Sequence, residues 1–162
     1  MRREGTLIFA IATGLGLFSS VLASQFVRFF AEKPQPFLLL LGLNFGYWYS
    51  WALLAPAVLH LARRFPFERD RWRRSLPVHA VAVLVLTFIH VVASNLIASQ
   101  LTGDAWMSET MKKVPWWTRM LRDYIRTFDW EMMTYWAIIG LHFAVVYARQ
   151  ARDRTIRAAQ LE

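Results

Sequence analysis

Four runs of this chain contain no Asp, Glu, Lys or Arg: Gly5 to Val27, Pro34 to Ala62, Ser75 to Gly103 and Met132 to Ala148, of 23, 29, 29 and 17 residues. At a helical rise of 1.5 Å per residue, roughly 20 apolar residues cross the hydrocarbon core of a bilayer. The first three runs therefore span unaided, and the fourth spans with help from its flanks. The pattern predicts an all-α integral membrane four-helix bundle. A soluble fold would need helices apolar on every face and a water-facing surface drawn from elsewhere. In 162 residues that are 56% hydrophobic, too little polar sequence is left for that.

Basic residues near membrane helices are retained on the cytoplasmic side, so their distribution between alternate loops sets the topology. One side collects Arg2, Arg3, Arg63, Arg64, Arg69, Arg71, Arg73, Arg74, Arg149, Arg152, Arg154 and Arg157, twelve basic residues against five acidic ones, a net +7. The other carries Arg28, Lys33, Lys112, Lys113, Arg119, Arg122 and Arg126 with six acids, a net +1. Both termini are therefore expected in the cytoplasm, with Arg63, Arg64, Arg69, Arg71, Arg73 and Arg74 forming an inner loop suited to anionic lipid. The net charge of +8 does not point to nucleic acid, because the arginines lie at membrane edges and not on one soluble face. A bacterial inner membrane, crossed several times, is the expected location. Met1-Arg2-Arg3 followed by an apolar core and Val21-Leu22-Ala23 has the look of a cleaved signal peptide, but the uncharged run continues past that point and is long enough to span.

Along the chain, Pro34 and Pro36 suit the start of the second helix. That helix carries Gly42, Gly46 and Ser50, a small residue at every fourth position, which allows close approach of a neighbouring helix or of a second copy. Pro56 is expected to kink it. Before the fourth helix, Trp117, Leu121, Tyr124 and Phe128 recur at helical spacing among Arg119, Arg122, Asp123 and Arg126. This predicts a short amphipathic helix lying on the outer interface and running into the fourth helix, with Trp116, Trp117 and Trp130 as anchors. Residues 1–148 thus form the membrane domain, and 149–162 begin a cytoplasmic helix. That helix holds no Pro or Gly and runs to Glu162 without a cap, as expected of a segment leading into a further module.

Chemistry is sparse. There is no Cys, no phosphate-binding loop and no His-Glu-x-x-His, and Gly14 to Ser19 lies inside a membrane helix, so no catalytic residue and no metal site is expected. Depth along the helices places His60, His79 and His142 within roughly 10 Å of the cytoplasmic edge and His90 roughly 20 Å from it. His79 and His142 are candidates to face each other. Asn44 and Asn95 fall at matching depths near the outer edge, either hydrogen-bonded to one another across helices or, with His90, forming an intramembrane polar site.

The stretch WALLAPAVLHLARRFPFERDRWRRSLPVH from Trp51 to His79, the run Thr134-Tyr135-Trp136-Ala137-Ile138 and the charged helical exit from Arg149 to Glu162 resemble the amino-terminal membrane region of LytS-like sensor histidine kinases. The resemblance extends from about Leu40 to Glu162, three quarters of the chain. It implies a membrane sensor and anchor that passes a signal through its fourth helix to a cytoplasmic kinase module. That module would use ATP and Mg²⁺, work as a homodimer and phosphorylate a response regulator. The family's phosphoaccepting Pro-His-Phe-Leu-Phe-Asn motif does not occur here, so none of the four histidines takes that role, and these residues alone are not expected to phosphorylate anything. The alternative is a self-contained small membrane protein, a carrier subunit or haem protein using His79, His90 and His142.

Overall fold

The structure, a computed structural model, describes residues 2–30, 35–67, 72–103 and 113–160, with side chains described from 5 to 157 within those ranges and at Gln160. Among the described residues there are four helices: α1 (Arg2–Phe30), α2 (Phe37–Arg64), α3 (Trp72–Thr102) and α4 (Trp116–Ala159). Each is long and apolar enough to cross a membrane.

The helix ends follow from local chemistry. Pro36, extended at φ −57° and ψ 133°, caps α2, and its carbonyl accepts from the amides of Leu39 and Leu40. At the other end, the Phe65 amide bonds to the Leu61 carbonyl at 2.8 Å, and Pro66, which can donate no amide hydrogen, follows the stop. Gly103 closes α3 in the left-handed region at φ +57°, where a side chain would be strained, with its amide on the Ser99 carbonyl at 2.9 Å. Pro56 lies inside α2 without ending it, and the missing amide leaves the Ala52 carbonyl without its helical donor.

The helices alternate in direction. Thr13 and Ser19 of α1 meet Tyr49 and Trp48 of α2, and Ser75 near the start of α3 donates to the Pro66 carbonyl just beyond the end of α2. Leu7, Arg63 and Arg149 line one cavity, so the chain enters and α4 leaves at the end of the bundle that carries the α2–α3 connection.

Close approaches occur at glycines. A Cβ on Gly16 would stand 2.6 Å from Cδ1 of Phe45, and one on Gly46 would stand 2.6 Å from Cγ2 of Ile97. Gly42 faces Leu101. The small-residue face of α2 is thus occupied by α3 of the same chain, not held open for a second copy.

Trp51, Val58, Ala62, Val83, Tyr135 and Ile139 form the apolar core where α2, α3 and α4 meet. Outside it, large apolar side chains are exposed along the helices, among them Leu38, Leu53, Val81, Leu96 and Leu141. A surface of this kind matches a lipid solvent and not water.

The expected amphipathic stretch does run into the fourth helix, with no break between the two. Residues 116–131 are the first turns of α4, which runs for 44 residues without interruption. Nothing in this stretch breaks a helix: no Gly or Pro occurs between Trp116 and Gly140. The face that packs is also rotated from the expected one. Tyr124 and Phe128 are partly buried, whereas Trp117 and Leu121 are exposed. Of the residues counted in the charge balance, Glu32, Lys33, Glu68, Arg69, Asp70, Arg71, Asp104, Glu109, Lys112 and Glu162 lie outside the described residues, as does Pro34, and the side chains of Arg2, Arg3 and Glu4 are likewise outside them.

Candidate functional site

At the centre of the bundle three helices converge on one imidazole. α2 contributes Tyr47 and Trp51, α3 contributes His90 and Ser94, and α4 contributes Glu131. The first two pairs are spaced by four residues, which puts both members on one helix face. Glu131 belongs to the stripe Glu131, Tyr135 and Ile139, again at intervals of four, and all three are buried.

His90 Nδ1 lies 2.8 Å from Oε2 of Glu131, with side-chain exposures of 0% and 3%. Trp51 Nε1 donates to the same carboxylate oxygen at 3.1 Å. On the far side of the ring, His90 Nε2 is 3.1 Å from the Tyr47 carbonyl and 3.3 Å from Ser94 Oγ. A carbonyl only accepts, so Nε2 carries hydrogen. An attractive Nδ1···Oε2 approach then needs a second proton between the two groups. The pair is either imidazolium with carboxylate or imidazole with carboxylic acid, neutral overall in both cases. That neutrality is what makes a buried acid tolerable in a lipid-embedded core. Aromatic rings close the site: Trp51 stacks on the imidazole at 4.8 Å and Tyr47 meets it edge-on at 4.6 Å.

A second buried histidine lies nearer the α2–α3 connection. His79 Nε2 is 3.1 Å from the Phe65 carbonyl and must donate to it, which leaves Nδ1 to accept from the Tyr135 hydroxyl at 2.7 Å. In the neutral ring this arrangement is the Nε2–H tautomer. Phe67 and Trp136 pack around its ring. α4 thus grips α3 at two histidines through residues one turn apart, Glu131 and Tyr135. A third bond, from Tyr124 Oη to the Leu84 carbonyl at 3.1 Å, ties an earlier part of α4 to the middle of α3.

The polar residues singled out in the sequence are not brought together. Asn44 Nδ2 donates to the Leu40 carbonyl and Asn95 Nδ2 to the Val91 carbonyl, each four residues back in its own helix. The expected Asn44–Asn95 bond is absent among the described residues, and His90 is partnered by Glu131 instead. Equal depth did not imply facing sides. His79 and His142 are not partners either: both His79 nitrogens are occupied by other groups, and His142 lines the cavity between α1 and α4. Gly42 and Gly46 do serve helix packing, within the chain.

Glu131 borders an uncharged run and reads in the sequence as a loop acid. Its signal was periodicity, since it shares a face with Tyr135 and Ile139.

No cluster of three or more His, Cys, Asp or Glu side chains able to hold a metal ion occurs among the described residues. A haem or metal reading through His79 and His90 would have to break the bonds that already occupy both nitrogens of each ring. No family model, no curated protein and no solved structure matches the chain. The resemblance to LytS-like membrane regions therefore rests on the quoted residues alone.

Proposed function

We propose that this chain is the membrane sensor and anchor of a two-component sensor histidine kinase, seated in a bacterial inner membrane with both termini in the cytoplasm. It would carry a change in helix packing along α4 to a kinase module that follows the exit helix. One observation supports this reading above the others: α4 is a single 44-residue helix that bears the buried Glu131 at one level and the exposed stretch from Arg149 to Arg157 at another. A rigid helix of that kind can transmit a rotation or shift, provided the bundle has two packings that a stimulus favours unequally. The His90–Glu131 pair supplies a basis for two packings. A buried pair of this type is held or broken as a unit, because a half-broken pair leaves an uncompensated polar group in an apolar core.

ATP, Mg²⁺ and a response regulator belong to the implied downstream module, and homodimerisation is the state such a module requires. The test is to join a cytoplasmic histidine-kinase module after Glu162 and insert residues beside Arg149. One inserted residue turns the downstream face by about 100° and is expected to lock or invert autophosphorylation, whereas seven turn it by about two full turns and restore it. Output indifferent to both insertions would make α4 a tether and the domain an anchor alone.

A further inference from the structure

The inner end of the bundle holds a cavity that the His90–Glu131 site does not use. α1 packs along α2, while α4 packs along α3 and α2, and the gap left between α1 and α4 has a volume of about 250 Å³. Small side chains make the gap: Ala52 and Ala55 of α2 form its floor, both buried. Its walls are the apolar faces of α1 and α4, represented by Ile11 and Ile138, and Trp48 and Trp51 stand at the deep end. Two of its lining residues are cationic, Arg63 at the end of α2 and Arg149 at the exit of α4. In helix register both lie beyond the last apolar wall residues, Leu59 and Val146, so the arginines sit at one end of a mostly apolar slot whose other polar lining residues are Thr134 and His142.

We infer that this cavity is a binding site for a single-chain acidic amphiphile of the fatty-acid class. The carboxylate would lie between Arg63 and Arg149, with the chain running toward Trp48 and Trp51. Three features commit it to that occupant. An apolar slot takes hydrocarbon, and a slot ending in two guanidiniums takes an anion, since a planar guanidinium matches a carboxylate in a forked pair. Volume selects one chain and not two: at about 30 Å³ per water-sized group, 250 Å³ takes roughly eight groups, the buried part of one medium-length chain whose carboxyl end lies at the open arginine mouth, but not the pair of tails of a phospholipid. This inference does not depend on a downstream kinase. It adds a consequence for α4, because the occupant would bridge α1 and the exit end of α4, two elements otherwise joined through α2.

The test uses the purified full chain in nanodiscs of zwitterionic phosphatidylcholine, with dodecanoic acid bearing a chain-terminal diazirine as the probe and mass spectrometry to locate the label. Labelling is expected on α1 and α4 around Ile11 and Ile138. It should be competed by dodecanoic acid and at least about tenfold less by dodecanol, the factor that loss of one charge-assisted contact implies. Arg63→Gln with Arg149→Gln should remove that preference for acid over alcohol. Both positions are exposed, so these changes leave the core intact. Ile11→Trp fills the slot from a partly exposed position and should abolish the labelling while both arginines remain. Label spread evenly over lipid-facing residues such as Leu53 and Leu84, equal competition by acid and alcohol, or competition by phosphatidylglycerol alone would each overturn the proposal, the last by assigning the site to a two-tailed lipid.

Discussion

His90 of α3 and Glu131 of α4 stand 2.8 Å apart inside the bundle, and the carboxylate oxygen that faces the imidazole also accepts from the Trp51 indole of α2. One oxygen atom thereby fastens three helices, which gives the pair its leverage over α4.

Removing one member should cost more than replacing it. Glu131→Ala strands the His90 Nδ1 in an apolar site and is expected to destabilise the bundle by about 3–5 kcal/mol, whereas Glu131→Gln keeps an acceptor for Trp51 and should lose about half of that. Reversible unfolding in mixed micelles measures both. The double variant His90→Leu with Glu131→Leu should recover much of the Ala loss, since apolar replacement of a whole buried pair is often tolerated. Additive losses would show the two residues to be uncoupled.

A milder effect is expected at the second histidine. Tyr135→Phe deletes the hydroxyl that donates to His79 Nδ1 and leaves a buried acceptor without its partner, at about 1–3 kcal/mol. His79→Phe should cost a similar amount and also loosen the α2–α3 connection, because the Phe65 carbonyl loses its donor. Limited proteolysis near Phe67 reads that loosening.

The glycines separate close contacts from open space. Gly46→Ile would drive a side chain into Ile97 and is expected to cost about 1–3 kcal/mol by forcing α2 and α3 apart. At Gly14 a Cβ meets nothing within 4 Å, so Gly14→Ala should be neutral or stabilising by up to about 1 kcal/mol through helix propensity. Equal stability of the two variants would mean that α2 and α3 are not packed at Gly46.

Orientation is checked by reporter fusions. The basic loop predicts a cytoplasmic signal from a fusion at Arg69 and an external one from a fusion at Lys112. The reverse pattern would place the exit helix outside the cell and leave it nothing cytoplasmic to control.

Much of this architecture was legible in the sequence because lipid imposes a simple rule: a long uncharged run must be a span, and charge collects where the chain leaves the membrane. The four helices and the Pro36 cap of α2 follow from that rule and from proline chemistry. The site was less legible, for two physical reasons. Depth can be counted from the rise per residue, but which way a side chain faces depends on how neighbouring helices rotate to bury it. Asn44 and Asn95 therefore matched in depth and still bonded within their own helices. Charge is also an ambiguous marker at a span boundary. Glu131 adjoins an apolar run as a loop acid would, yet α4 starts fifteen residues earlier and carries it inside. The stretch from Trp116 to Glu131 read as a surface helix because its charges suggested water, while the absence of any helix breaker extended it into the span.

The central claim is that the state of the His90–Glu131 pair is felt at the exit of α4. The chain contains no Cys, so any introduced Cys is the sole thiol. Single cysteines placed in turn from Arg149 to Arg157 should crosslink between copies with a helical period, and Glu131→Gln should shift the positions of the maxima along that stretch. A crosslinking profile unchanged by Glu131→Gln, or no crosslinking at any position, would contradict the account.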